Sequence, residues 1–242
     1  MNQKDKITIA YKEIRNQPPW HQPTTPNILH HRVLPHATYA PWISDQAFED
    51  IYQKIEPSTL VDIYRCYELW QLSKQSLSVA GDILEVGVWR GGTGALIAQA
   101  VNNSEKKVFL ADTFKGVVKA GENDPVYQGG EHADTSLSLA KSLIETLNLR
   151  NTFFLQGIFP EETSENIPGK LALVHCDVDV YSSARDIFYW AKPRLSSAGI
   201  IIFDDYGFST CEGVTTLVNE IREDNDFTFV HNLNGHAILI KK

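Results

Sequence analysis

From Gly81 to the C-terminus, short apolar runs alternate with amphipathic ones, and this alternation admits very few folds. DILEVGV, KKVFLAD, NTFFLQG, LALVHCD and GIIIFDD read as buried strands. TGALIAQAVNN, TSLSLAKSLIETLNL, SARDIFYWAKPRL and EGVTTLVNEIRED, interspersed with them, carry helical spacing. Strands joined through helices run parallel, with helices on both faces of the sheet. The chain closes with FTFVHN and HAILIKK around Asn234-Gly235, a hairpin turn signal. The expected fold is α/β: a doubly wound, mostly parallel, seven-stranded Rossmann-like sheet with a C-terminal antiparallel hairpin and an N-terminal helical and extended cap. Residues 1–42, whose NQPPWHQPTTPNILHHRVLPHATYAPW is dense in Pro and His, are expected to form an extended arm. Residues 43–80 form a helical cap, because SDQAFEDIYQKI opens on a cap signal and a second helical pattern follows Pro57. Residues 81–242 are the sheet domain.

Charge and composition remove several function classes. A net charge of −8 at pH 7 argues against a nucleic-acid partner, which a basic patch would mark. No apolar run approaches the roughly 20 residues that span a bilayer, and the N-terminus has no signal-peptide core. Cys66, Cys176 and Cys211 are odd in number and widely spaced, so they read as reduced thiols, two of them buried, in the cytoplasm. His21, His30, His31 and His36 fit no zinc-ligand spacing and are assigned to a surface arm.

Two strands end abruptly in acid: Asp177 follows LALVHC, and Asp204 and Asp205 follow GIIIF. As parallel neighbours their tips would lie about 4.8 Å apart. Three carboxylates at one point require a proton or a cation between them. Aspartates at a strand end are often only a solvated turn, but three on two neighbouring strands beside a ligand-binding turn favour a metal site. His175 and Cys176 suggest a soft metal, yet successive strand residues point to opposite faces, so they cannot share an ion, and Cys176 is assigned to the core. Asp179 is either an outer acid and competing base or a charge for a helix N-terminus, since Ser182 and Ser183 follow as cap candidates.

The ligand-binding turn is EVGVWRGGTG, Glu85 to Gly94, at a strand-to-helix junction. Glycines let the backbone approach a ligand and the helix N-terminus offers free N–H groups. A dinucleotide fingerprint needs a middle glycine that is missing between Gly87 and Gly91. The acid-x-Gly-x-x-x-Gly arrangement suits the methionine end of S-adenosylmethionine (SAM), with Glu85 aiding its ammonium group directly or through water. Asp112, closing the second strand, reads as acceptor for ribose hydroxyls or simply as a turn cap. Gly157 and Ile158 close the third strand and are placed beside the adenine. The full expected cofactor set is Glu85, Gly87, Trp89, Arg90, Gly91, Gly92, Asp112, Thr113, Phe114, Gly157, Ile158 and Asp177.

EVGVWRGG, ADTFKG, DVDVYSS and FDDYG occur in that order, and together the chain resembles the macrocin O-methyltransferase (TylF) family from about Pro41 onward. The resemblance implies a class I SAM-methyltransferase fold over residues 81–242, a divalent metal, usually Mg2+, and homo-oligomers, commonly dimers. It also implies methylation of sugar hydroxyls on natural products. By motif match, Asp177, Asp204 and Asp205 are the metal ligands, and Asp177 is also the candidate catalytic base. Val178 stands where the family commonly has glycine, and Ser182 where glutamate is common, which leaves the acceptor open.

The chemistry agrees with the resemblance. An alkoxide-forming hydroxyl has a pKa near that of water, about 15.7, and a divalent cation can bring such a proton into the neutral range. The loop from Lys115 to Asp134 is too long for an idle connection and is expected to cover the acceptor, with Glu131 or His132 reaching substrate or metal. The N-terminal arm would be a second lid or a dimer contact. Three rival readings remain: a catechol-type methyltransferase, a nicotinamide-dependent reductase, and a SAM-binding module without catalysis.

Overall fold

The computed structural model describes residues 2–16 and 39–242, which fall into two compact units, Met1–Ser44 and Asp45–Lys242. In the first unit, Gln3–Asn16 is a helix, α1, where an extended arm is expected; Asn2 caps it by accepting the Asp5 N–H at 2.9 Å. Its sequence, QKDKITIAYKEIRN, has no proline or glycine to break a helix. The four arm histidines and the Pro-rich run lie outside the described residues.

The second unit begins with α2 (Gln46–Ile55), capped by Asp45, and α3 (Ile63–Gln75), capped by Asp62, whose side chain accepts from the Tyr64 and Arg65 amides. There follow β1 (Asp82–Val86), α4 (Gly92–Ala100), β2 (Val108–Asp112), α5 (Leu137–Thr146), β3 (Thr152–Gln156) and β4 (Leu171–Cys176). The chain then forms α6 (Tyr181–Ala191), β5 (Leu195–Phe203), α7 (Glu212–Ile221), β6 (Phe227–His231) and β7 (Ala237–Lys241). The seven strands stand in the order β3-β2-β1-β4-β5-β7-β6. Strands β1 to β5 pair in parallel, whereas β7 runs antiparallel to both β5 and β6, as the alternation and the hairpin signal predict.

Alternation along each strand divides the core in two. Leu84, Val86, Val174, Cys176 and Phe203 pack against Ile187 and Phe188 of α6 and Leu217 of α7. Each such side chain, fully buried, is worth about 1.5–3 kcal/mol. The opposite face receives α4, with α2 and α3 packed upon it, and here the burial is partly polar: Arg65, Glu85, His175, Asp204 and His236 are all under 9% exposed. All three cysteines are buried, not only two. No helix among the described residues is long and apolar enough to cross a membrane.

Register fixes where the strands end. Val86 of β1 stands opposite Ala111 of β2 and Cys176 of β4, and Cys176 stands opposite Phe203 of β5. The next residues therefore lie along one edge, Asp112 as the last residue of β2 and Gly87, Asp177 and Asp204 just past the ends of their strands. The strand order reverses between β1 and β4, the place where open α/β sheets hold ligands.

Candidate active site

The turn after β1 is held by backbone constraints. Gly87 has φ +91°, and a Cβ there would stand 1.5 Å from the Asp177 carbonyl oxygen, so only glycine lets the two strand ends lie together. Gly91, also at φ +91°, caps α4 in a left-handed conformation, and Gly92 is buried at its first turn. Asp112 ties the turn down: Oδ2 accepts from the Val88 and Trp89 amides at 2.7 and 2.8 Å, and Oδ1 from the Phe114 amide at 2.6 Å. Three of its roughly four acceptor positions are thus used. The cap reading of Asp112 describes these bonds, and capacity for about one further hydroxyl remains.

Trp89 and Arg90 fasten the turn to the end of the long loop. Trp89 Nε1 donates to Asp134 Oδ1 at 3.0 Å, and Arg90 Nη2 pairs with Asp134 Oδ2 at 2.7 Å. The Arg90 guanidinium also lies 4.3 Å from the Trp89 ring centroid. Thr113 Oγ1 donates to the Gly116 carbonyl at 3.2 Å, and Phe114 takes φ +54°. Gly157, at φ +148°, donates its amide to the Asp112 carbonyl at 3.0 Å, bringing the third strand end beside the second. The Ile158 amide is taken by Glu162 Oε2 at 2.8 Å.

Glu85 lies deeper than the turn. It is fully buried, Oε1 sits 3.0 Å from His175 Nδ1, and Oε2 has no hydrogen-bond partner among the described residues. An unpartnered buried carboxylate oxygen is costly, so it calls for a donor from water or ligand.

The acidic tips do converge. Asp177, Asp204 and Asp205 each place a carboxylate oxygen within 4.8 Å of the others. Burial, followed by the charge of Asp204, pushes the Asp177 and Asp205 carboxyls well above the usual range. Burial also acts to raise Asp204, but Arg65 and then His236 override it and hold that carboxyl low. Arg65, from α3, pairs through Nη1 with Asp204 Oδ1 at 2.6 Å and Asp205 Oδ1 at 3.3 Å. His236 Nε2 lies 3.1 Å from the same Asp204 oxygen, while its Nδ1 is 2.7 Å from Glu68 Oε2. These two partners outweigh desolvation and lift the His236 ring from 6.5 to about 9.

A basic side chain therefore stands among the acids, and the fit of a metal must be tested against it. Arg65 makes ion pairs with Asp62, Asp204 and Asp205 but none with Asp177. One guanidinium shared with Asp62 and one imidazolium shared with Glu68 do not cancel three ionised tips. Among the described residues no hydrogen bond reaches the Asp177 carboxylate or Asp204 Oδ2, while Asp205, held by Arg65 at Oδ1, has the Cys211 thiol as a further neighbour. Those free oxygens are hard donors suited to Mg2+, and the donor set fits. Cys176 lies in the core, whereas His175, whose Nδ1 pairs with Glu85, comes within 4.8 Å of an Asp204 carboxylate oxygen and of His236.

The loop over Lys115–Asp134 is docked by its own acids and phenol. Asp124, 3% exposed, accepts the Tyr181 amide through Oδ1 at 2.9 Å, supplying the N-terminal cap that Val180 cannot give α6. Gly213 makes the room, because a Cβ there would meet that oxygen at 1.9 Å. Tyr127 donates its hydroxyl to Asp179 Oδ1 at 2.7 Å. Asp179 itself sits in the left-handed region at φ +65°. Glu131 turns back to accept the Gln128 and Gly129 amides, and the His132 ring lies 6.2 Å from that of Tyr127.

Sequence reasoning overlooked Arg65, Glu68, His236, Asp124, Tyr127 and Asp134. One of these left a trace: Arg65 shares the buried face of its helix with Leu69 at i+4 and Ser73 at i+8, and an arginine on a core-facing stripe demands a buried partner.

Comparison with known proteins places the chain. The family model described as macrocin-O-methyltransferase (TylF) matches residues 57–239. A tetracenomycin-rhamnoside 4'-O-methyltransferase of Streptomyces olivaceus is 31% identical over 145 residues, 55% of this chain and 56% of that protein. The mycinamicin III 3''-O-methyltransferase of Micromonospora griseorubida is 32% identical over 170 residues, covering 63% of this chain and 66% of its own. The chain thus spans just over half to two thirds of these relatives' lengths. Among solved structures, the O-methyltransferase NovP superposes with TM-score 0.61 at 23% identity over 96% of this chain and 88% of its own. A calicheamicin methyltransferase gives 0.63 at 17% identity, over 84% of this chain and 94% of its own.

Proposed function

The chain belongs to the macrocin-O-methyltransferase (TylF) family, and on that premise we propose that it is a SAM- and divalent-metal-dependent O-methyltransferase acting on a sugar hydroxyl of a glycosylated natural product. The observation that carries this reading is the convergence of Asp177, Asp204 and Asp205 beside the glycine turn at the strand-order reversal. The activities for which two relatives are named, rhamnosyl-tetracenomycin 4'-O-methylation and mycinamicin III 3''-O-methylation, support the acceptor class.

Asp177, Asp204 and Asp205 would hold the metal, which supplies a Lewis acid that lowers the pKa of the acceptor hydroxyl. Gly87 and Gly91 admit the donor's methionine end, Asp112 a ribose hydroxyl, and Gly157 and Ile158 the adenine; the donor, when bound, supplies an electrophilic methyl group. Asp177 accepts the acceptor's proton at its carboxylate as the hydroxyl oxygen bonds the methyl carbon and the donor's C–S bond breaks, the electron pair leaving with S-adenosylhomocysteine. The docked loop Lys115–Asp134 excludes water from the transfer, a step that also protects a sulfonium. Catalysis is then mostly orientation plus deprotonation.

The rivals fare unequally. A nicotinamide reductase has no use for three convergent acids, and a thermal-shift comparison of SAM with NADH tests it. A catechol methyltransferase uses similar acids, so an acceptor panel of catechols against deoxysugar glycosides discriminates. A module that only binds SAM predicts no methylated product from any member of that panel. Turnover of a glycoside that EDTA abolishes and Mg2+ restores is the expected result; full turnover in EDTA would remove the metal from the proposal.

A further inference from the structure

We infer that Arg65 is a positioning residue for the metal: it holds Asp204 and Asp205 so that their second oxygens face the cation. The inference rests on the proposed metal reading and extends it to a residue on a helix far from both acidic motifs. It stands on which oxygens are occupied. Both ion pairs from Nη1 go to Oδ1 atoms, of Asp204 at 2.6 Å and of Asp205 at 3.3 Å. His236 Nε2 approaches the same Asp204 Oδ1 at 3.1 Å, so that oxygen faces two nitrogens, while Oδ2 accepts no hydrogen bond among the described residues. A carboxylate gripped at one oxygen can rotate little, and its other oxygen is aimed.

The opposite reading makes Arg65 a rival of the metal, a cation lodged where the ion belongs. Three observations argue against it. Arg65 makes no ion pair with Asp177, so it does not sit at the centre of the three acids. Its Nε is held by Asp62 Oδ2 at 2.9 Å, which orients the planar fork from behind. Its guanidinium lies 4.8 Å from the Phe208 ring centroid, and Phe208 is itself seated over Gly235, where a Cβ would meet its ring at 2.2 Å. A guanidinium that is 6% exposed and held by a carboxylate and a ring is a fixed strut, not a plug that must leave. Outer partners that orient metal-binding groups commonly cost 10–100-fold in metal affinity when removed.

The test measures metal binding directly, without turnover. Mn2+ binding is followed by the loss of the free-ion EPR signal for the full-length wild type, Arg65→Met, Arg65→Lys and Asp205→Asn, with S-adenosylhomocysteine affinity measured in parallel. The wild type is expected to bind Mn2+ and Asp205→Asn to lose it; if the wild type shows no such site, the metal reading fails and takes this inference with it. With that site present, Arg65→Met is expected to weaken Mn2+ binding by about tenfold or more while S-adenosylhomocysteine affinity stays within about twofold. Arg65→Lys, which keeps the charge without the fork, is expected to fall between. Unchanged or tighter Mn2+ binding in Arg65→Met would overturn the inference and make the arginine a competitor. Should Arg65→Met not fold, Arg65→Lys decides alone: binding at least about threefold weaker supports positioning, and equal or tighter binding overturns it.

Discussion

The two halves of the ligand edge are built by different means. At the tips of β1 and β2 the geometry is backbone: two left-handed glycines, amides gathered by Asp112, and a chain path that leaves no space for a side chain at Gly87. At the tips of β4 and β5 the geometry is side chain, and charge balance depends on Arg65 from α3 and His236 at the start of the hairpin strand. A backbone-built site tolerates changes in neighbouring side chains and fails when a glycine is replaced. A charge-built site keeps its shape after isosteric changes but loses its function. The largest expected effect follows: Asp205→Asn should cut turnover about a thousandfold or more, the several kcal/mol a metal supplies, while S-adenosylhomocysteine still binds in calorimetry. Loss of donor binding along with turnover would mean that the halves are not separable.

Gly87 is where the contrast can be broken on purpose, because its missing Cβ faces the Asp177 carbonyl and so joins the halves. Gly87→Ala should cost about 3 kcal/mol or more in urea unfolding, from the left-handed backbone and the 1.5 Å clash, and should weaken both donor and metal binding. A variant that lost only donor affinity would show that the acid tips do not lean on the turn.

The same contrast explains what the sequence could disclose. Strand ends, the glycine turn and the acid triplet are local patterns, and parallel pairing of β4 with β5 follows from the alternation, so these were legible. The helix Gln3–Asn16 departs from the expected extended arm because the Pro and His density begins only after Asn16. Trp89 and Arg90 sit in the turn as expected, yet their side chains engage Asp134, a partner that sequence distance conceals. Arg65 and His236 reach Asp204 only through packing of α3 and the hairpin on the sheet. Pairings across a fold leave no spacing to read, and only the misplaced polarity of Arg65 on a buried stripe hinted at them.

His236 sharpens the charge-built half through pH. Its folded value, about 9, lies above its ordinary 6.5, so its pairing with Asp204 and Glu68 stabilises fully below pH 6.5 and is lost as pH rises through 9. In metal-free enzyme the stability difference between wild type and His236→Gln should therefore shrink, by on the order of 3 kcal/mol, across that interval. A difference that stayed flat in chemical denaturation at each pH would show that the ring does not change charge there.

The smallest effects come from the loop, and they decide how far the charge-built half extends. Asp124→Ala removes the cap of α6 and should cost about 1–2 kcal/mol of stability, read as a lower denaturation midpoint. Tyr127→Phe is subtler, because it deletes only the hydroxyl that Asp179 accepts at 2.7 Å. If that bond serves to dock the loop, its loss, about 1 kcal/mol, should raise the acceptor KM roughly fivefold and leave kcat within about twofold. Asp179 stands two residues beyond Asp177, and burial raises its carboxyl, features that would also suit a base. A base left with only the Cys211 thiol, 3.8 Å away, as donor would change the proton-transfer step itself. A Tyr127→Phe enzyme whose kcat moves more than its KM, with an altered pH profile, would therefore transfer the base role from Asp177 to Asp179.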